Sequence, residues 1–217
     1  SEGGAAIAKA LEGNAVLTTL NLGGNHLGAE GGAAMAKALE GNAVLTSLDV
    51  GNNDLDEEAA LGIVKAVRQH DKMTNLGLAG CGIGPTGAKE LADYVSVSAV
   101  LTTLNLWDND LGAEGGAAIA KALEVNAVLK KLNIAHNSSI NGEAAQQLAA
   151  AALGSASLEV LSEVPIKELR EDKHTSLHLS GKGLGPTEGA APAAACAGRF
   201  HTLHRACSSL RCAAHRQ

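Results

Sequence analysis

The chain has almost no aromatic residues: one Trp, one Tyr and one Phe in 217. A thick globular core draws much of its bulk from aromatic side chains, so their scarcity points instead to thin layers of leucine and alanine. Long apolar runs are missing as well. None approaches the roughly 18 residues of a membrane-spanning helix, and no membrane association is expected. There is no excess of positive charge: 17 Lys and Arg stand against 23 Asp and Glu, a net charge of −6. That balance gives no pull toward nucleic acid or anionic lipid. The four cysteines form no paired framework, which favours a reducing compartment and hence a cytoplasmic protein.

What is present is a repeat. Residues 15–42, AVLTTLNLGGNHLGAEGGAAMAKALEGN, recur almost letter for letter at residues 99–126. Looser copies start at Ala43, Asp71 and Ala127, and the leading position falls at Leu17, Leu45, Met73, Leu101 and Leu129, 28 residues apart each time. Each copy has two halves. Leu20 and Leu22 alternate with Asn21 as on a strand, whereas Met35, Ala36 and Leu39 share one helical face. Neither half can bury its apolar side alone, so the copies must stack. Parallel strands are predicted near residues 17–22, 45–50, 73–78, 101–106 and 129–134, with helices between.

The pattern L-x-x-L-x-L-x-x-N/C-x-L, followed by G-x-x-G and an alanine-rich helix, resembles the ribonuclease-inhibitor-like class of leucine-rich repeats. Leu20-x-Leu22-x-x-Asn25-x-Leu27 carries it, as do Leu48-x-Val50-x-x-Asn53-x-Leu55 and Leu104-x-Leu106-x-x-Asn109-x-Leu111; Leu76-x-Leu78-x-x-Cys81-x-Ile83 uses the cysteine option. The resemblance implies an α/β solenoid, a horseshoe with parallel strands on its concave face and helices on its convex face. It also implies that Asn25, Asn53, Asn109 and Asn137 hydrogen-bond the backbone of the adjoining repeat, with Cys81 a buried, inert thiol in that column. Lys9, Lys37, Lys65 and Lys121 share one position on the solvated helical face.

Three regions follow. Residues 1–156 hold a helical half repeat (1–14) and five repeats, so the sequence reads as a fragment beginning mid-repeat. That start leaves Ile7 and Leu11 with a neighbour on one side only. The fifth repeat has one residue more in HNSSIN, where a bulged loop is expected. Residues 157–189 form a degenerate repeat without a convincing helix; its strand phase returns at Leu177 and Leu179, and Lys182 stands where the asparagine belongs. Residues 190–217 are a low-complexity basic tail, read as disordered or as a gene-model artefact, with Pro192 breaking the preceding helix.

Two segments imitate chemical motifs. Gly82 to Lys89 has the look of a phosphate-binding loop, but Ala88 separates Gly87 from the lysine and Glu90 follows it, which breaks the required G-K-[S/T]. His201, His204, Cys207, Cys212 and His215 lack the tight paired spacing of a zinc site. No catalytic, cofactor or metal residues are therefore assigned, and no nucleic-acid partner is expected.

The remaining surface is the concave face, lined mostly by small hydroxylated and amide residues. Against that background stand Asp49, Asn105, Trp107, Asp108, Lys130, Lys131 and His136, the candidate protein-binding residues. Trp107 replaces the Gly23 of the first copy. It is either an interface anchor or loop packing over its neighbours. The expected function is a monomeric, non-catalytic module that binds a protein partner. A Ran GTPase-activating-protein-like regulator is the alternative, although no arginine falls on the predicted concave face; a fragment of a larger receptor or scaffold is another.

Overall fold

The computed structural model describes residues 2–171. Helices and strands alternate in it: α1 (Glu2–Glu12), β1 (Thr19–Asn21), α2 (Gly28–Gly41), β2 (Ser47–Asp49), α3 (Glu57–Val67), β3 (Asn75–Gly77), α4 (Gly84–Val97), β4 (Thr103–Asn105), α5 (Gly112–Val125), β5 (Lys131–Asn133), α6 (Gly142–Gly154), β6 (Val160–Leu161) and α7 (Ile166–Arg170). The strands form one parallel sheet in chain order. Leu20, Leu48, Leu76, Leu104, Leu132 and Leu161 lie opposite one another across it. All five predicted strands are present and parallel, each shortened to its middle three residues. The ladder runs slightly past those bounds: the Thr46 N–H donates to the Thr18 carbonyl at 2.8 Å, and the Leu22 N–H to the Asp49 carbonyl at 2.7 Å.

The core is a stack of identical slots. Leu45, Met73, Leu101 and Leu129 lead into the strands, Val50, Leu78, Leu106 and Ile134 leave them, and all are buried. Met35, Ile63, Leu91, Ile119 and Leu148 close each layer from the helix side and are buried too. Each such side chain contributes about 1.5–3 kcal/mol. Helices α4 and α5 approach closely because the facing residues are small: a Cβ on Gly115 would lie 2.6 Å from the Ala88 Cβ. Gly116 leaves room for the loop side chain of Ile140, whose Cγ2 would lie 2.8 Å from a Cβ there. Strands spaced about 4.8 Å apart against helices needing about 10 Å put the sheet on the inner side of the curve.

Stacking also has to satisfy the backbone where strands end. Asn53 Nδ2 donates to the Leu22 and Val50 carbonyls, both at 2.8 Å, while its Oδ1 accepts the Asn25 N–H at 2.9 Å. Asn109 and Asn137 repeat this across the fourth and fifth repeats. In the third, the Cys81 Sγ lies 3.6 Å from the Val50 and Ala79 carbonyls. Burial pushes its thiol up to about 12, with a smaller contribution from the Asp49 charge. The extra residue of the fifth repeat has a defined place. The Asn137 carbonyl now accepts the Ile140 N–H, and Ser139 Oγ accepts the Gly112 N–H at 2.9 Å instead.

A second column, which the sequence reading missed, runs along the opposite edge of the layers. Asn42 Nδ2 donates to the Leu11 and Asn14 carbonyls, and its Oδ1 accepts the Val44 and Leu45 N–H groups. Asn126 repeats the arrangement against Val95 and Ser98. His70 and Ser98 fill the two slots between them: His70 Nε2 is bonded to the Leu39 carbonyl at 2.8 Å, and Ser98 Oγ accepts the Leu101 N–H at 3.1 Å. The Tyr94 hydroxyl in turn donates to the His70 carbonyl at 3.4 Å.

The segment after Ser157 corrects the sequence reading, which gave it no convincing helix. Leu158 and Leu161 keep the leucine phase and are buried, so β6 pairs with β5. Ser162, at φ 52°, then turns the chain back. Leu161 and Val164 exchange hydrogen bonds as an antiparallel bridge, and the short α7 buries Ile166 and Leu169. The Arg170 guanidinium donates to the Ser155 and Leu158 carbonyls, so the last carbonyl of the second column, that of Ser155, also has a donor. Leu11, expected to be half-covered, is buried, while Ile7 and Leu17 are both 38% exposed. Leu177, Leu179, Lys182, Pro192 and the tail lie outside the described residues.

Two outcomes are expected. Asn109→Ala orphans buried carbonyls and N–H groups at about 1–3 kcal/mol each, so chemical denaturation should show a loss of at least about 2 kcal/mol. Asn25→Ala, at the exposed first position, should cost under about 1 kcal/mol; equal losses would refute the column. For Cys81, a folded-state pKa raised above the unfolded one means stability is fully present below pH 9 and is lost as pH rises toward 12. With Cys196, Cys207 and Cys212 changed to Ser, a thiol reagent at pH 8 should label Cys81 only at the rate of unfolding.

Candidate protein-binding face

The inner face of the sheet is lined by three columns of side chains, and most of their polar groups are already used. Thr46, Thr74 and Thr102 each donate their hydroxyl to the carbonyl of the threonine one repeat earlier, at 3.0–3.1 Å. At the fifth repeat this column ends in Lys130, with Lys131 beside it opposite Thr103. Both lysines are exposed. They are the break in an otherwise neutral hydroxyl surface.

At the strand exits, Asn21, Asp49, Asn105 and Asn133 each accept the N–H two residues ahead, at 2.9–3.2 Å. Gly77 takes this place in the third repeat, because a Cβ there would lie 2.6 Å from the Asp49 carboxylate carbon. Asp49 and Asn105 are thus half-buried turn formers whose acceptors are engaged. Asn105 takes part in placing Trp107, whose N–H is the one it accepts.

The next column is left-handed in every repeat: Gly24, Asn52, Gly80, Asp108 and His136 have φ between 53° and 70°. Backbone of that kind favours glycine, asparagine and aspartate. The residue type at Asp108 therefore has a local conformational reason beside any role toward a partner. Its side chain is exposed, as is that of His136. Trp107 is half-buried, and its ring packs on His136 with centroids 4.9 Å apart at 51°.

The structure brings Trp107, Asp108 and His136 together on one rim, at the exits of β4 and β5. Lys130 and Lys131 stand at the start of β5, whereas His136 follows its exit, at the other end of the strand. Asp49 is two strands removed, about 10 Å from β4, and stands apart from the cluster. For Trp107 the loop-packing contact is present, in the ring of His136, and the residue remains partly exposed.

The imitation phosphate loop resolves into ordinary repeat geometry. Gly84 and Pro85 open α4, and Lys89 Nζ reaches Glu114 on α5, holding that carboxyl below its usual range by hydrogen bond and charge. Among the described residues no group of His, Cys, Asp and Glu could hold a metal ion. No described helix is long and apolar enough to cross a membrane. The His201–His215 cluster lies outside the described residues.

Comparison with known proteins agrees with this architecture. The Leucine Rich repeat family model matches residues 13–36, 41–64, 72–92, 97–120 and 125–149, together more than half of the chain. No curated protein matches. Among solved structures, the Caenorhabditis elegans tropomodulin C-terminal domain superposes with a TM-score of 0.56 at 16% identity, covering 69% of this chain and 89% of that one. A structure titled Leiomodin-1 Actin-Binding Site 2 gives 0.52 at 22% identity, covering 60% and 76%. At such identities these two likenesses are of fold. The five family matches, in step with the five strand–helix units of the sheet, establish that the chain belongs to the leucine-rich repeat family.

Proposed function

We propose that this chain is a non-catalytic protein-interaction module, of the ribonuclease-inhibitor-like repeat type, that binds its partner on the inner face of the sheet. The observation that carries the reading is the Trp107–His136 pair. The sole tryptophan of the chain sits half-exposed on a rim, tilted against an exposed histidine, in a sheet face that is, apart from Lys130 and Lys131, built mostly of small, internally bonded groups. Tryptophan is enriched among the residues that anchor protein interfaces. Lys130 and Lys131 supply cationic contacts on the same face, and Asp108 a flanking carboxylate. Asp49 and Asn105 shape the exit turns.

Both arginines among the described residues support a binding role over a GTPase-activating one. Arg68 lies at the end of α3 and pairs with Glu90, and Arg170 is committed to the Ser155 and Leu158 carbonyls. Neither faces the inner surface. A monomer working in the cytoplasm fits this reading, with residues 1–156 as the repeat domain. Actin is the first purified partner to try, since one structure of similar fold is titled as an actin-binding site.

Replacing Trp107 and Asp108 together by Ala should weaken partner capture at least about tenfold, since an anchor of this type is worth about 2 kcal/mol. The melting temperature should hardly move for Trp107→Ala alone, and should fall by about 2–4 °C in the double variant because alanine is disfavoured at the left-handed Asp108 position. Lys130→Glu with Lys131→Glu should weaken capture further and reduce its sensitivity to salt. Unchanged binding in both variants would move the site to the helical face or beyond residue 171. The ring pair has its own test: His136→Ala should shift the tryptophan emission to the red and raise its quenching by acrylamide. An unchanged spectrum would mean the pair does not persist in solution.

A further inference from the structure

Most asparagine side chains of this protein are occupied. Asn42, Asn53, Asn109, Asn126 and Asn137 are buried, with Nδ2 bonded to carbonyls. Asn25 Nδ2 donates to the Leu22 carbonyl, and Asn14, Asn21, Asn105 and Asn133 accept backbone N–H groups through Oδ1. Among the described residues that leaves Asn52, Asn75 and Asn141, all exposed. Asn52 is followed by Asn53 and Asn75 by Leu76, each with a side chain that crowds the nitrogen beside it. Only Asn141 is followed by glycine.

Asn141 is the N-cap of α6, in an extended conformation at φ −136° and ψ 178°, and its side chain makes no capping hydrogen bond. Gly142 stands at φ 53°, a backbone that favours glycine, and a Cβ there would meet nothing within 4 Å. At the start of α2 and α4, the Gly28 and Gly84 N–H groups donate to the Asn53 and Asn109 carbonyls of the following repeat. After α6 comes the turn at Ser162 in place of a further asparagine, and among the described residues the Gly142 N–H has no acceptor. An unbonded side-chain amide and an unbonded backbone N–H therefore sit on adjacent, exposed residues.

We propose that Asn141 is a site of spontaneous deamidation, which installs a capping carboxylate at the start of α6. The Gly142 nitrogen, with no Cβ of its own residue to crowd it, bonds to Asn141 Cγ. The Cγ–Nδ2 bond breaks, and ammonia leaves with the Gly142 amide proton. Water then opens the cyclic imide at one of its two carbonyls, giving aspartate or the isomer linked through the side chain. The repeat shows what the aspartate does. Asp56 holds the matching place ahead of α3, and its Oδ1 accepts the Ala59 N–H at 2.8 Å; Ala144 is the corresponding residue of α6. Glu57 and Glu58 stand in the same turn of α3, and Glu143 in that of α6, so these ends tolerate carboxylates. The helix dipole favours a negative charge there. The isomer lengthens the backbone by a methylene and forfeits the cap.

The full chain, incubated at pH 8 and digested with trypsin, should show the amide-to-acid exchange by mass spectrometry in the peptide Leu132–Lys167, with fragmentation placing it at Asn141. Conversion there should run at least about tenfold faster than at Asn53 or Asn109, which must wait for local opening. An isoaspartyl methyltransferase should label this peptide in the parent but not in Asn141→Gln. Asn141→Asp should raise the denaturant midpoint above that of the parent. Asn141 still intact when Asn52 or Asn75 has converted would overturn the site. So would conversion seen only in denaturant, since the native end of α6 would then be closed to the reaction. A midpoint of Asn141→Asp at or below the parent's would overturn the capping role.

Discussion

The structure depends on satisfying backbone groups at the ends of very short strands. Three-residue strands leave carbonyls and N–H groups at both exits, and the leucine layers bury them there. An unpaired buried group of this kind costs about 1–3 kcal/mol, as much as a buried leucine side chain contributes. The buried asparagines resolve the conflict by bonding forward and back at once. Asn53, Asn109 and Asn137 serve one edge; Asn42, Asn126 and His70 serve the other. Because each amide needs the repeat before it, hydrogen bonding and leucine packing favour the same neighbour and the same offset.

That coupling explains why so much of the fold could be read from letters. Leucine at a fixed interval declares a slot, and the slot fixes the strand register, so five strands and their order followed directly from Leu17 to Leu129. The readings that fell short concern residues whose role is local geometry. The second amide column was visible as Asn14, Asn42 and Asn126 at the same interval, but His70, Ser98 and Ser155 interrupt it with different chemistries for one job. The left-handed column mixes Gly, Asn, Asp and His, and no single letter marks it. The helix α7 escaped because Ser162 turns the chain out of phase, and from there the repeat template misleads.

The candidate site was legible in position and less so in composition. Trp107 stood out because a near-identical copy has glycine there, and the structure adds His136 as its partner. Asp49 and Asn105 were read as contact residues from their outward place on a strand. Their oxygens prove to be bound to the Gly51 and Trp107 N–H groups, a use that alternation along a strand cannot reveal.

The sameness of the repeats carries a hazard for a folding chain. A strand from one copy could seat beside a copy two or three units away with its leucines still in their slots, since a slip by whole periods preserves every apolar match. Whatever breaks the equivalence of the copies therefore acts against misassembly. His70 between Asn42 and Ser98 in its column, bonded on one side to Leu39 and on the other to Tyr94, is one such mark. Cys81 in the other column is a second, and Gly77 under the Asp49 carboxylate a third. All three fall at the junction of the second and third repeats. That junction acts as an address: it joins two particular units and no other pair, and sets the count for the repeats on either side.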